Sequence, residues 1–145
     1  MRSVRHCFAM TPRISKVLAA LIGPVPLAIY YAAIGSMYTP LNFGTVVGAY
    51  LMGHISFWLS LGVLGVVRRV ASSMVARNLY ASLWVASLIT AILFAVPIVL
   101  IYGGVTWQTM VRDLFTQAFA GFAALIVFRV MIALPSADPN AGSNA

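Results

Sequence analysis

The side chain in this sequence best placed for chemistry is an imidazole inside a long apolar segment. His54 follows Tyr50 and precedes Trp58 at four-residue intervals, so on a helix the three lie roughly above one another. If that segment crosses a bilayer, His54 is the only ionisable group near the middle of a span. Such a residue is a functional candidate by default, because an unpaired polar group in lipid costs several kcal/mol. The competing reading is a neutral imidazole hydrogen-bonded to Gln117, Thr90, a serine or a backbone carbonyl in another helix. That reading is favoured because the apolar segments hold no carboxylate to stabilise an imidazolium. Haem ligation by His54 needs an axial partner, and His6 lies in the N-terminal leader, out of reach of the membrane midplane.

Two further polar side chains fall in apolar surroundings, Gln117 and Arg129. Arg129 is placed about one turn inside the end of its segment, from where a long side chain can snorkel to the headgroups. The missing residue types narrow the chemistry further. There is no glutamate, and both aspartates, Asp113 and Asp138, lie outside the apolar stretches. Transport that titrates an intramembrane carboxylate therefore has no residue to use. Paired-carboxylate hydrolysis, a histidine and carboxylate metal site, a phosphate-cradling glycine loop and a serine, histidine and aspartate set each lack a member. His54 and Ser56 are two apart and do not face each other on a helix. Cys7 is the only cysteine, which rules out an internal disulfide or a thiol-pair metal motif. No enzymatic activity, metal or cofactor is expected.

The elements that must position these residues are four apolar stretches, Val17 to Tyr38, Phe43 to Val67, Leu79 to Tyr102 and Leu114 to Leu134. Together they hold one charged side chain, Arg129. With 62% hydrophobic and 8% charged residues, a 145-residue globule has too little interior to hide the apolar surface, so lipid must be the solvent. Each stretch is 21 to 25 residues long, and about 20 helical residues cross about 30 Å of hydrocarbon. Membrane strands are excluded by these lengths and by the lack of alternating polarity. The first stretch is read as a retained span, since it runs past Ala33 without a convincing small-x-small cleavage site.

Topology follows from the basic residues. Arg2, Arg5, Arg13 and Lys16 precede the first stretch, and Arg68, Arg69 and Arg77 lie between the second and third. The other two connections contribute only Arg112, adjacent to Asp113. The positive-inside rule then puts both termini in the cytoplasm. The net charge of +7 has the same origin, cationic flanks meeting anionic headgroups at about 1 kcal/mol each. Nucleic-acid binding would need those residues gathered on a folded platform with stacking aromatics, which the pattern does not provide.

Along the chain, Gly23-Pro24-Val25-Pro26 predicts a bend in the first helix, because each proline removes a donor and crowds the carbonyl one turn earlier. Tyr30, Tyr31 and Tyr38 are expected in an aromatic belt near its outer end. The connection Thr39 to Asn42 is short enough to force an antiparallel pair. The second helix carries Gly44, Gly48, Ala49, Gly53, Ser56 and Ser60, a drifting stripe of small residues that lets another helix approach closely. It is therefore the expected central packing helix, with a partner in this chain or in another subunit. Ser87, Ala91 and Ala95, and Ala120, Gly121 and Ala124, offer similar faces on the third and fourth helices. Val105 to Asp113 is expected as a short helical piece on the outer surface, with Asp113 starting the fourth helix.

The sequence thus predicts an all-α integral membrane protein of four transmembrane helices in two antiparallel hairpins, both termini inside. A basic leader (1–16) precedes a membrane domain (17–134, spans 17–38, 43–67, 79–102 and 114–134), and a small polar tail (135–145) is too poor in apolar groups to fold. Composition suits a bacterial inner membrane. The expected role is contact between helices, as an accessory or assembly subunit or an immunity-type protective protein, with a membrane-protein partner or a second copy. The alternative is an oligomeric permeation or transport protein with a path near His54.

Overall fold

The computed structural model describes residues 12–37, 39–70, 78–102 and 106–133, with the backbone alone at 12–13 and 96–102. The described residues form five helices: α1 (Pro12–Ile22), α2 (Val25–Gly35), α3 (Phe43–Val70), α4 (Leu79–Tyr102) and α5 (Trp107–Ala133). The leader with His6 and Cys7, the residues around Arg77, Tyr38 and the tail lie outside the described residues.

The expected bend is a break. Pro24 and Pro26 have no N–H to offer Ala20 and Ile22 one turn earlier, and the helix parts into α1 and α2 at Gly23-Pro24. Bonds from Gly23 N to Ala19 O and from Ala28 N to Pro24 O, both 2.9 Å, hold the two pieces nearly continuous. The apolar run Ile14–Gly35 is thus long enough to cross a membrane, as are Phe43–Val70 and Trp107–Ala133. In α4 the described apolar stretch is shorter, Leu79–Ala95. The protein is an all-helical bundle of several membrane-apt helices, and an integral membrane protein.

Three helices start on polar caps. Asn42 Oδ1 accepts from Thr45 N at 2.9 Å while Asn42 N donates to Thr45 Oγ1 at 2.8 Å, a reciprocal pairing at the head of α3. Asn78 accepts from Ala81 N at 3.3 Å to open α4. Thr106 Oγ1 accepts from Thr109 N at 3.3 Å to open α5. That third cap corrects an expectation: Trp107 to Asp113 is no separate surface piece but the first two turns of α5, and Asp113 lies inside the helix.

α2 packs on α3, α3 on α4, α4 on α5, and α5 returns to both α1 and α2, with α3 also touching α5. This closes a ring of helices around a core of Leu27, Phe57, Leu83, Ala124 and Leu125. Phe57 stacks edge-on against Phe128 of α5, with ring centroids 5.2 Å apart. Trp84 of α4 meets both Phe119 and Phe122 of α5. Outward, Val17, Ile29, Leu51, Ile55, Phe119 and Val130 are exposed, as helices immersed in lipid must be.

Candidate functional site

A close helix approach is built on α3. Gly53 is buried against α2, and a Cβ added there would stand 2.8 Å from the backbone nitrogen of Ala28 and 3.0 Å from its Cα. Only hydrogen fits. One turn on, Phe57 fills the space beside Gly23 at the proline break, where an added Cβ would come within 3.0 Å of the ring. The break therefore receives an aromatic ring, and Gly23 supplies the room for it.

The stripe of small residues divides into two sets. Ala49, Gly53, Ser56 and Ser60 are buried inside the bundle. Gly44 and Gly48, the two members of the GxxxG, are not: Gly44 has only the Asn42 side chain nearby, and nothing lies within 4 Å of a Cβ added at Gly48. The same open space surrounds Gly62 and Gly65. Central packing is also shared, since α5 touches every other helix pair partner that α3 does and α1 besides.

His54 is half-buried. Its Nδ1 lies 3.3 Å from the carbonyl oxygen of Tyr50 one turn back, and its ring packs at a tilt on that of Tyr50, with centroids 4.4 Å apart. The imidazole thus finds its partner in its own helix rather than in Gln117, Thr90, a serine or a carbonyl of another helix. Tyr50 reaches further, its hydroxyl donating to Leu21 O at 3.0 Å. Leu21 is the last full turn before the proline break, so α3 supplies a donor where α1 ends. Trp58, expected on the same face, is 52% exposed and touches Phe57 instead.

Gln117 belongs to a different polar group. Its Nε2 donates to the Tyr31 hydroxyl at 2.8 Å, and one turn earlier on α5 the Tyr30 hydroxyl donates to Asp113 O at 3.1 Å. Two adjacent tyrosines of α2 therefore hold two successive turns of α5. Beyond their expected place toward one end of the helix, they make this clamp, which sequence reading missed. Ser56, whose hydroxyl lies beside Tyr31, carries the one buried side-chain polar atom among the described residues without a partner in hydrogen-bond geometry.

Most of the other buried hydroxyls are spent locally. Ser60, Ser87 and Thr90 each donate to the carbonyl four residues back at 2.9 Å. Ser15 donates to Met131 O at 2.6 Å, tying the start of α1 to the end of α5. Arg112 pairs with its neighbour Asp113 at 3.1 Å on the surface, a contact of little energetic weight. Arg129 is exposed on α5, four residues before its end. Among the described residues no three histidine, cysteine or acidic side chains cluster as metal ligands would.

Compared with protein-family models, with curated proteins and with solved structures, the chain finds no match.

Proposed function

We propose that this small multi-pass protein acts through helix-to-helix contact in the membrane, without catalytic chemistry of its own, as an accessory or assembly subunit or an immunity-type protective protein. Four crossings in two antiparallel hairpins, with both termini in the cytoplasm of a bacterial cell, complete the reading. The basic flanks at Lys16, Arg68 and Arg69 support that orientation. The observation that carries the function is the division of α3. One set of its small residues is consumed inside the bundle, while Gly48, Gly62 and Gly65 have no described residue within 4 Å of an added Cβ.

The test is recovery of partners with an affinity-tagged chain in mild detergent. Gly48→Leu should reduce partner or self-association several-fold and leave membrane insertion unchanged. Equal recovery with Gly48→Leu would overturn the reading. A reporter fused after Ala145 should be active in the cytoplasm.

The second reading is an oligomeric permeation protein with a path near His54. It draws support from the polar strip that runs from the Leu21 carbonyl through Tyr50 to His54. Liposomes holding the purified protein should then pass solute, and His54→Ala should alter the flux. Sealed vesicles with normal protein content reject it.

A further inference from the structure

The described acidic and basic side chains are distributed so that one end of the bundle has no internal counter-charge. Lys16 on α1, Arg68 and Arg69 at the end of α3, and Arg129 on α5 are all exposed, and none of them has a hydrogen bond or ion pair among the described residues. The one described carboxylate, Asp113, is taken by Arg112. Packing contacts bring the four cations to the same end. Gly23 against Phe57 and Phe57 against Phe128 set one common level, and the bond from Ser15 to Met131 O sets another beyond it. Lys16, Arg68 and Arg129 all lie on the Ser15 side of the first level.

Their depths differ. Arg68 lies eleven residues past Phe57, about 16 Å along the helix, whereas Arg129 is a single residue past Phe128, about 1.5 Å. Arg129 therefore lies deeper than Arg68 and Arg69 by roughly 10 Å or more, and it stands near the level of Lys16, whose neighbour Ser15 bonds to Met131 O. Arg129 follows Phe122 by seven residues, about two turns, and so lies on the side of α5 that meets Trp84 of α4. The four cations form a collar at graded depth. A guanidinium on a lipid-facing surface, set deeper than Arg68 and Arg69 and with no carboxylate in reach among the described residues, draws its anion from the lipid.

We propose that this collar binds the phosphates of anionic phospholipids, with Arg129 as the deep anchor that holds one headgroup at the α4 side of α5. Arg68 and Arg69 gather further anionic headgroups above it. The proposal stands apart from the identity of any protein partner.

The experiment compares purified protein in vesicles of phosphatidylcholine alone and of phosphatidylcholine with one-fifth phosphatidylglycerol, followed by native mass spectrometry of the lipids retained on extraction. Wild type should retain phosphatidylglycerol well above its share of the mixture. Arg129→Gln should lower that enrichment about fivefold, the factor that about 1 kcal/mol per near-surface cation implies, and Arg129→Lys should keep most of it. Arg68→Gln with Arg69→Gln, outside the packed core, should lower it further and make it less sensitive to salt. Inorganic phosphate added to protein in neutral detergent should not protect it against heat, which separates a lipid headgroup from free phosphate. Retention in proportion to vesicle composition, or enrichment unchanged in both the Arg129→Gln and the paired arginine variants, would overturn the proposal.

Discussion

Replacing Gly53 by alanine adds one methyl group at the place where α3 and α2 are closest. The new carbon would lie 2.8 Å from Ala28 N and 3.2 Å from its Cβ. The first contact is with backbone, which cannot swing aside as a side-chain tip can. The helices must separate locally, and a gap of about 0.5–1 Å already forfeits a quarter to a half of the dispersion energy of the atoms concerned. Overpacking of this kind costs about 1–3 kcal/mol. Against that stands the gain of about 1 kcal/mol in helix propensity when glycine becomes alanine. Gly48→Ala receives the gain without the penalty, because nothing lies within 4 Å. The two variants should therefore differ by about 2 kcal/mol, with Gly53→Ala the less stable. Reversible unfolding in mixed micelles, followed by far-ultraviolet circular dichroism, measures this. Stabilities equal to within about 0.5 kcal/mol would show that α2 does not rest on Gly53.

Two hydrogen-bond predictions accompany it. Tyr31→Phe and Gln117→Leu should be coupled in a double-mutant cycle by about 0.6–1.7 kcal/mol, the range found for side-chain bonds between membrane helices. Additive effects would mean that the Tyr31–Gln117 contact does not hold α2 to α5. Tyr50→Phe removes the donor from Leu21 O and should destabilise by about 1 kcal/mol, with faster amide exchange around residues 21–25 and little change at α4. Unchanged exchange there would deny Tyr50 a role at the proline break.

The membrane class, the all-helical content and the position of the bend were legible in the sequence because they depend on local quantities: run length, charge count and missing amide protons. Pairing of faces was not legible. On α4 the four-residue spacing of Ser87, Ala91 and Ala95 marks a face, and Ser87 and Ala91 are buried, but the helix that covers it, α5 with Gly121 against Ser87, is seen only in the fold. Glycine tells a similar story. Gly48 and Gly53 are alike in sequence context, yet one meets the backbone of Ala28 and the other meets nothing. The sequence announces room for a close approach and is silent on who makes it. Tyr30 and Tyr31 were assigned by composition to an interface, whereas their hydroxyls are used across a helix seam. The start of α5 was missed although Thr106 and Thr109 spell a recognisable cap, because the tryptophan between them drew the reading toward the membrane surface.

The open glycines allow a sharper separation of the functional readings than loss of association alone. Glycine in a helix costs up to about 1 kcal/mol relative to a good helix former, and at Gly48 and Gly62 no packing among the described residues offsets that cost. Exchanging both for leucine, a strong helix former suited to a lipid-facing position, should raise the stability of the isolated bundle by about 1–2 kcal/mol. If the open face serves a partner helix, the same exchange should lower partner recovery, because added bulk prevents the close approach that gains packing energy in lipid. Stability and association would then move in opposite directions, an outcome that misfolding cannot imitate. Unfolding in mixed micelles and affinity recovery from the same preparation measure the two. A doubly substituted chain that is more stable and still recovers its partner in full would leave those glycines without a role in contact, and the helix-contact reading would lose the observation on which it stands.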